Sequence, residues 1–455
     1  QPLLRGCTGP AMAAPLTGFC PQCCCACLGC VAVVVLMFAA LFPSPVSVEQ
    51  ETAAFMKAVK ERGYPVEEHT STTEDGVELT VFRIPRPDGH PVFLQHGLLD
   101  SSWMWVVSQD FSPVAFKLYD KGYDVWLGNN RGNRFSTAWT RKGAAVNSPD
   151  FWNFSFEEMG KFDVPAQIGT ILENTGKSQL SFIGHSQGAS QVFVAVQDEH
   201  QRRSMEKSID LFIALSPDVY LGDASSYGLS YLVDPNVDYV LETFPATAQS
   251  ALSGDTVTGA EHSFCVLAYG EACQVGMEAL FGVGMDSAAS ITAYLEHLPA
   301  GTSAKDLMHY SQLVKANRFQ RFDYGSAENL VHYETTKPPS YDLSALTIPT
   351  VLYFGEDDAW VAPKNAQLLL GELNSDAIVS HKFFPQFSHV TWQIGNEGAA
   401  YWISELLHVL PAATPASKTE PTTSPAPKKE PAPTAAPKKE PAPAAEPKTE
   451  PTAAP

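Results

Sequence analysis

The stretch Leu180 to Ser190 reads LSFIGHSQGAS. A short apolar run ends in a serine framed by Gly184 and Gly188, and the following ASQVFVAVQDEH has the makings of a helix. A Gly-x-Ser-x-Gly string acquires meaning in that setting. The strained strand-to-helix turn lifts the hydroxyl above the sheet and aims the N-terminus of the next helix at it. Alone the string is weak, because a chain with 31 glycines meets it readily by chance. The setting makes Ser186 a candidate nucleophile.

Such a hydroxyl reacts only when a base takes its proton and a third group orients the base. On a fold with this turn, the acid and then the histidine follow the serine in the chain, each after a late strand. VLYFGEDDAWVAP offers Asp357 or Asp358, and HKFFPQFSHVTW offers His389. His408 falls on an amphipathic terminal stretch, where a solvated or packed role fits better. The tetrahedral oxyanion needs backbone N–H donors. FLQHGLL ends a strand at Gln95 and turns at His96-Gly97, which points to the amide of Leu98, with the amide of Gln187 as its partner. Without the other parts, His96-Gly97 is simply a turn that closes a strand.

Working outward, VELTVFRIP alternates like a hairpin strand, and PVFLQHG, YDVWLGNN, QLSFIG, IDLFIALSP, IPTVLYFG and HKFFPQF read as further strands. FSPVAFKLYDKG and EEMGKFDVPAQIGTILENTG carry helical spacing and stop at Gly122 and Gly176. Buried strands alternating with helices predict an α/β fold with a mostly parallel sheet flanked by helices. The interval 217–341 is helix-leaning and longer than a crossover requires, so an inserted cap over the C-terminal edge of the sheet is expected. The hydrolase-type core then comprises 48–216 and 342–410.

The ends of the chain have a different character. Seven of the nine cysteines lie in the first thirty residues, and CPQCCCACLGC runs directly into VAVVVLMFAALF. With no histidine in that cluster, a zinc site is disfavoured. Residues 1–47 are expected to form a cleaved signal peptide or a signal anchor held in a membrane by residues 23–42. Residues 411–455 repeat Pro, Ala, Lys and Glu and are expected to form a disordered tail. The formal net charge of −20 argues against nucleic acid and anionic membrane surfaces as electrostatic partners. Cys265 and Cys273 lie inside the cap and pair as a local disulfide or remain thiols. Asn153-Phe154-Ser155 is a glycosylation sequon, although the surrounding aromatics favour packing. Arg131 in NNRGNRF either steers a substrate or ties its own loop.

FLQHGLLDSS, GYDVWLGNNRGNRFS, FWNFSFEEMGKFDVPA, GHSQG, HLPAGTSAKDLMHYSQLVKANRFQRFDYGS and PPSYDLSALTIPTVLYFGEDD occur in this order. With these segments the chain, from about Val48 to Leu410, resembles the acid lipase family of α/β hydrolases. The resemblance implies a Ser186 nucleophile, a His389 general base, Asp358 as the orienting acid through a Gly-x-x-Asp spacing, and an oxyanion hole at Leu98 and Gln187. It implies hydrolysis of triacylglycerols or steryl esters at a lipid–water interface, in a secretory, lysosomal or extracellular setting, with no cofactor and no metal. Two other functions use the same residues: acyl transfer to an alcohol, and lipid binding without catalysis. One departure stands out. Where the family reads His-Leu-Asp-Phe after the base, this chain reads His389-Val390-Thr391-Trp392, so a carboxylate beside the imidazole is missing.

Overall fold

Strand-forming runs rich in Val, Ile, Leu and Phe build the centre of the molecule. The computed structural model describes residues 47–140, 148–235, 241 and 271–413. The cysteine-rich leader with the proposed anchor at 23–42, Cys265, the side chain of Cys273 and the tail from 414 onward lie outside the described residues. Among the described residues no helix is long and apolar enough to cross a membrane.

The described residues contain a nine-stranded sheet. Its strands are β1 (Glu67–Thr72), β2 (Val77–Ile84), β3 (Pro91–Gln95), β4 (Asp124–Leu127), β5 (Ala138–Trp139), β6 (Leu180–His185), β7 (Ile209–Leu215), β8 (Thr350–Gly355) and β9 (Ile378–Phe384). The order is β1-β2-β4-β3-β6-β7-β8-β9, with β5 paired to β2. From β4 to β9 every pairing is parallel, whereas β2 runs antiparallel to β1, β4 and β5. The strands swap partners so that β6 lies in the middle, between β3 and β7. Its C-terminal end therefore opens onto the loops that follow both neighbours, as the rule for ligand sites in such sheets requires.

Alternation along the strands feeds two cores. Val92, Leu94, Ile183, Ile213 and Leu215 face one side. There they meet Phe55 and Val59 of α1 (Val48–Glu61), Phe116 and Leu118 of α2 (Val114–Asp120), and Trp402 and Leu406 near the C-terminal end of the described chain. Phe93, Phe182, Phe212, Leu352 and Phe354 face the other side and meet Ile168 and Ile171 of α3 (Val164–Thr175) and Val192 and Phe193 of α4 (Gln187–Ala195). A sheet buried on both faces explains why these strands read as continuous apolar runs.

Two sequence expectations change in detail. EEMGKFDVPAQIGTILENTG is not one α-helix: a π-turn at Met159–Asp163 separates a short helical turn at Phe156–Glu158 from α3. Pro165 lacks the amide that a continuous helix would use there, and Gly160 packs so close to α4 that an added Cβ would lie 2.6 Å from the Gln191 carbonyl oxygen. Asn153 is exposed while its neighbours Phe151, Phe154 and Ser155 are buried, so the aromatics pack without taking the asparagine with them.

The chain between β7 and β8 contributes α5 (Tyr227–Leu232), α6 (Glu271–Phe281), α7 (Ala288–Leu295), α8 (Ala304–Ala316) and α9 (Ser326–Tyr333). Its attachments to the sheet end of the molecule are specific. Asp306 on α8 accepts hydrogen bonds from the Gln187 side chain at 2.7 Å and from the Phe156 amide at 2.8 Å. The Phe281 carbonyl accepts from the His389 amide at 3.0 Å.

Candidate active site

Ser186 sits between β6 and α4 with φ 54° and ψ −124°, a left-handed backbone that a serine adopts only under constraint. Two close approaches impose it. A Cβ on Gly184 would lie 2.6 Å from the Ala189 amide nitrogen, and one on Gly188 would lie 2.4 Å from the His96 carbonyl oxygen. The Ser186 amide is tied to the Leu215 carbonyl of β7 at 2.9 Å. The hydroxyl is thereby fixed at the mouth of the sheet, 2% exposed as a residue.

His389 follows β9, and its Nε2 lies 2.9 Å from Ser186 Oγ. Its Nδ1 lies 2.9 and 3.1 Å from the two carboxylate oxygens of Asp358, which follows β8. Asp358 is itself held, because Oδ1 accepts from the amides of Trp360 and Val361, both at 2.8 Å. Asp357 is exposed and makes no such contact. His408 is exposed on the terminal helix Tyr401–Val409. The imidazole of His389 packs beside two nearly parallel rings, Trp360 at 5.2 Å and Phe281 at 6.3 Å between centroids, which also stack on each other. His185 supports the same loop through its Nε2, 2.8 Å from the His389 carbonyl. Burial alone would lower the pKa of His389; the Asp358 carboxylate and, secondarily, Asp218 outweigh it and hold the value above normal.

The turn after β3 lies against Ser186, since a Cβ on Gly97 would be 2.9 Å from Ser186 Cβ. Leu98 is the next residue, and Gln187 is the first residue of α4. Neither amide has a hydrogen-bond acceptor among the described residues, as befits donors kept for a ligand. His96 has a supporting task. Its Nδ1 donates to the Gly97 carbonyl at 2.8 Å, and its Nε2 accepts from the Asn130 amide at 3.0 Å. Burial pushes its pKa down to about 4, so it stays neutral and shapes the turn. Arg131 is buried and committed to Asp75 and Asp163, at 2.7 Å each, so it ties its loop.

Two acids escaped the sequence reading. Asp218, three residues after β7, has Oδ2 2.5 Å from Ser186 Oγ and 2.9 Å from the Tyr310 hydroxyl. The signal was available in ALSPDVY, a carboxyl just past the end of a strand, but which strand neighbours the nucleophile is a matter of topology. Asp286 accepts from the hydroxyls of Thr391 and Ser388, at 2.5 and 3.0 Å. A carboxyl from the chain between β7 and β8 thus stands against Thr391, two residues past His389.

A strained serine at the end of a central strand, with an imidazole and a buried carboxylate in series, defines the class as a serine hydrolase of α/β architecture. Comparison with known proteins specifies it further. The model of the alpha/beta hydrolase fold matches residues 90–391, and that of the partial alpha/beta-hydrolase lipase region matches 55–109. Human gastric triacylglycerol lipase is 36% identical over 350 residues, covering 72% of this chain and 83% of the relative. Lysosomal acid lipase/cholesteryl ester hydrolase of Macaca fascicularis is 35% identical over 369 residues, covering 76% and 88%. Human lipase member K is 33% identical over 357 residues, covering 74% and 85%. The chain belongs to the α/β-hydrolase lipase family and is a carboxylic ester hydrolase.

Proposed function

We propose that this protein hydrolyses neutral lipid esters, triacylglycerols or steryl esters, through an acyl-enzyme formed on Ser186. His389, oriented by Asp358, accepts the hydroxyl proton as Oγ bonds to the ester carbonyl carbon. The amides of Leu98 and Gln187 stabilise the oxyanion that develops. The imidazolium then protonates the departing alcohol, and a water activated by the same imidazole releases the fatty acid. The observation that carries this reading is the unbroken relay from Ser186 Oγ to His389 Nε2 at 2.9 Å and from Nδ1 to Asp358 at 2.9 Å. The substrate class follows from the relatives, whose names specify triacylglycerol and cholesteryl ester.

We read 217–341 as a cap over the catalytic residues, on the strength of its contacts with Gln187 and His389. The gastric and lysosomal relatives support a secretory-route protein, with residues 1–47 as its leader. The test is covalent labelling with a fluorophosphonate. The wild type should label at Ser186 and Ser186→Ala should not, while a panel of short esters, triacylglycerols and steryl esters from pH 4 to 8 identifies the substrate. A wild-type protein that neither labels nor hydrolyses any of them overturns the proposal.

A further inference from the structure

Beside Ser186 there are two proton acceptors, and the hydroxyl has one proton. His389 Nε2 lies 2.9 Å from Oγ and Asp218 Oδ2 lies 2.5 Å from it. Asp218 is not a substitute for the orienting acid. It faces the Nε2 side of the ring, with Oδ1 3.8 Å from that atom, whereas Asp358 holds Nδ1. The Asp218 side chain is fully buried, and its Oδ1 makes no hydrogen bond among the described residues. An unpartnered carboxyl oxygen within the reacting cluster is costly unless it has a task there.

We propose that Asp218 is a catalytic residue that must be protonated for Ser186 to react. When Asp218 is ionised, its charge-assisted hydrogen bond takes the Ser186 proton, and the lone pair that should attack is left without a base in line. The negative charge also opposes the oxyanion about to form beside it. When Asp218 is neutral the competition ends. Either Oδ2 donates to Oγ or it remains a weak acceptor, and in both cases the serine proton turns to His389 Nε2. During attack that proton moves from Oγ to Nε2, the Oγ–C bond forms, the carbonyl π pair moves onto oxygen, and the Asp218 proton stays where it is. The inference rests on the Ser186–His389 reading above.

The groups facing Asp218 come from four elements. Tyr310 of α8 donates to Oδ2, His389 and Asp358 face it from the loops after β9 and β8, and Ser186 donates to Oδ2 from the turn after β6. Burial pushes the Asp218 carboxyl up, against the lowering effects of His389, Ser186 and Tyr310, while Asp358 raises it further. Because Asp218 and His389 face each other, the competent form carries one proton for the pair, on Asp218. Its loss and the gain of a second proton are properties of the pair. The consequence is a bell-shaped activity profile whose alkaline limb is the departure of that proton.

The experiment is kcat/KM for a soluble p-nitrophenyl ester from pH 4 to 9, with melting curves to confirm folding. Wild type should lose about tenfold per pH unit above the alkaline midpoint, or about a hundredfold two units beyond it. Asp218→Asn presents a neutral group to Oγ at every pH, so its alkaline limb should vanish, whereas its acid limb should remain, because Asp218 is already protonated and neutral across that limb in the wild type. Tyr310→Phe removes a donor that favours ionised Asp218, so its alkaline limb should move to higher pH. A merely structural role would leave both limbs in place. An unshifted alkaline limb in Asp218→Asn overturns the inference, as does folded Asp218→Asn that is inactive at every pH; should that variant fail to fold, an unshifted limb in Tyr310→Phe overturns it. Wild-type activity in Ser186→Ala sinks the parent reading instead, which keeps the two failures apart.

Discussion

Replacing Asp358 by asparagine changes one carboxyl oxygen into an NH2 group, and the surroundings dictate which one. Oδ1 accepts from the Trp360 and Val361 amides, both at 2.8 Å, so the amide oxygen of the introduced side chain must stay there; turning the NH2 into that position would set three donors against one another. The NH2 therefore faces His389 Nδ1, 2.9 Å away in the wild type. A donor at that place makes Nδ1 the acceptor and forces the ring proton onto Nε2, where it points at Ser186 Oγ instead of receiving its proton. Asp218 offers no rescue, because it stands on the Nε2 side. The loss should approach the value for a triad with the wrong tautomer, about 10⁴ in kcat with KM little changed, equivalent to about 5 kcal/mol of transition-state stabilisation. Pre-steady-state release of p-nitrophenol measures the acylation step directly, and fluorophosphonate labelling should slow in parallel. A folded Asp358→Asn enzyme within tenfold of wild-type kcat would refute the tautomer argument.

Further outcomes follow from the same geometry. Gly188→Ala drives a Cβ to within 2.4 Å of the His96 carbonyl oxygen, a backbone atom that cannot step aside; overpacking of about 1–3 kcal/mol should lower the melting temperature and slow labelling of Ser186 together. Arg131→Ala leaves Asp163 buried without its cation and should cost about 3–5 kcal/mol in urea unfolding. Asp306, whose carboxyl burial pushes up to about 6, contributes stability that is present at low pH and lost as pH rises through that value. Compared with Asp306→Asn, the wild type should therefore lose up to about 3 kcal/mol between pH 4 and 7; urea melts at the two pH values that give the same difference would contradict this.

What could be read along the chain was what is local. The strand, turn and helix around Ser186 carry their own signals, and the parallel sheet follows from the buried apolar runs that became β3, β4, β6, β7 and β8. His389 and Asp358 were legible because chain order restricts where a base and its acid stand after such a serine. Asp218 was not, because its importance depends on β7 lying next to β6, and nothing within ALSPDVY states which strand is its neighbour. Asp286 escaped for the same reason. It reaches Thr391 across 105 positions of sequence, and a missing acid after the base gives no hint of where another comes from. The ties of Arg131 to Asp75 and Asp163 join its loop to the turn before β2 and to the π-turn before α3, and were open to two readings until those segments were seen together.

The carbonyls of Leu280 and Phe281 have a consequence for engineering. Leu280 receives the indole N–H of Trp360, and Phe281 receives the backbone N–H of His389. The chain between β7 and β8 is thus part of the scaffold that keeps the imidazole in place. A graft from another lipase must preserve this pair of backbone acceptors, and a shortened variant without them would be an enzyme whose base has lost its footing.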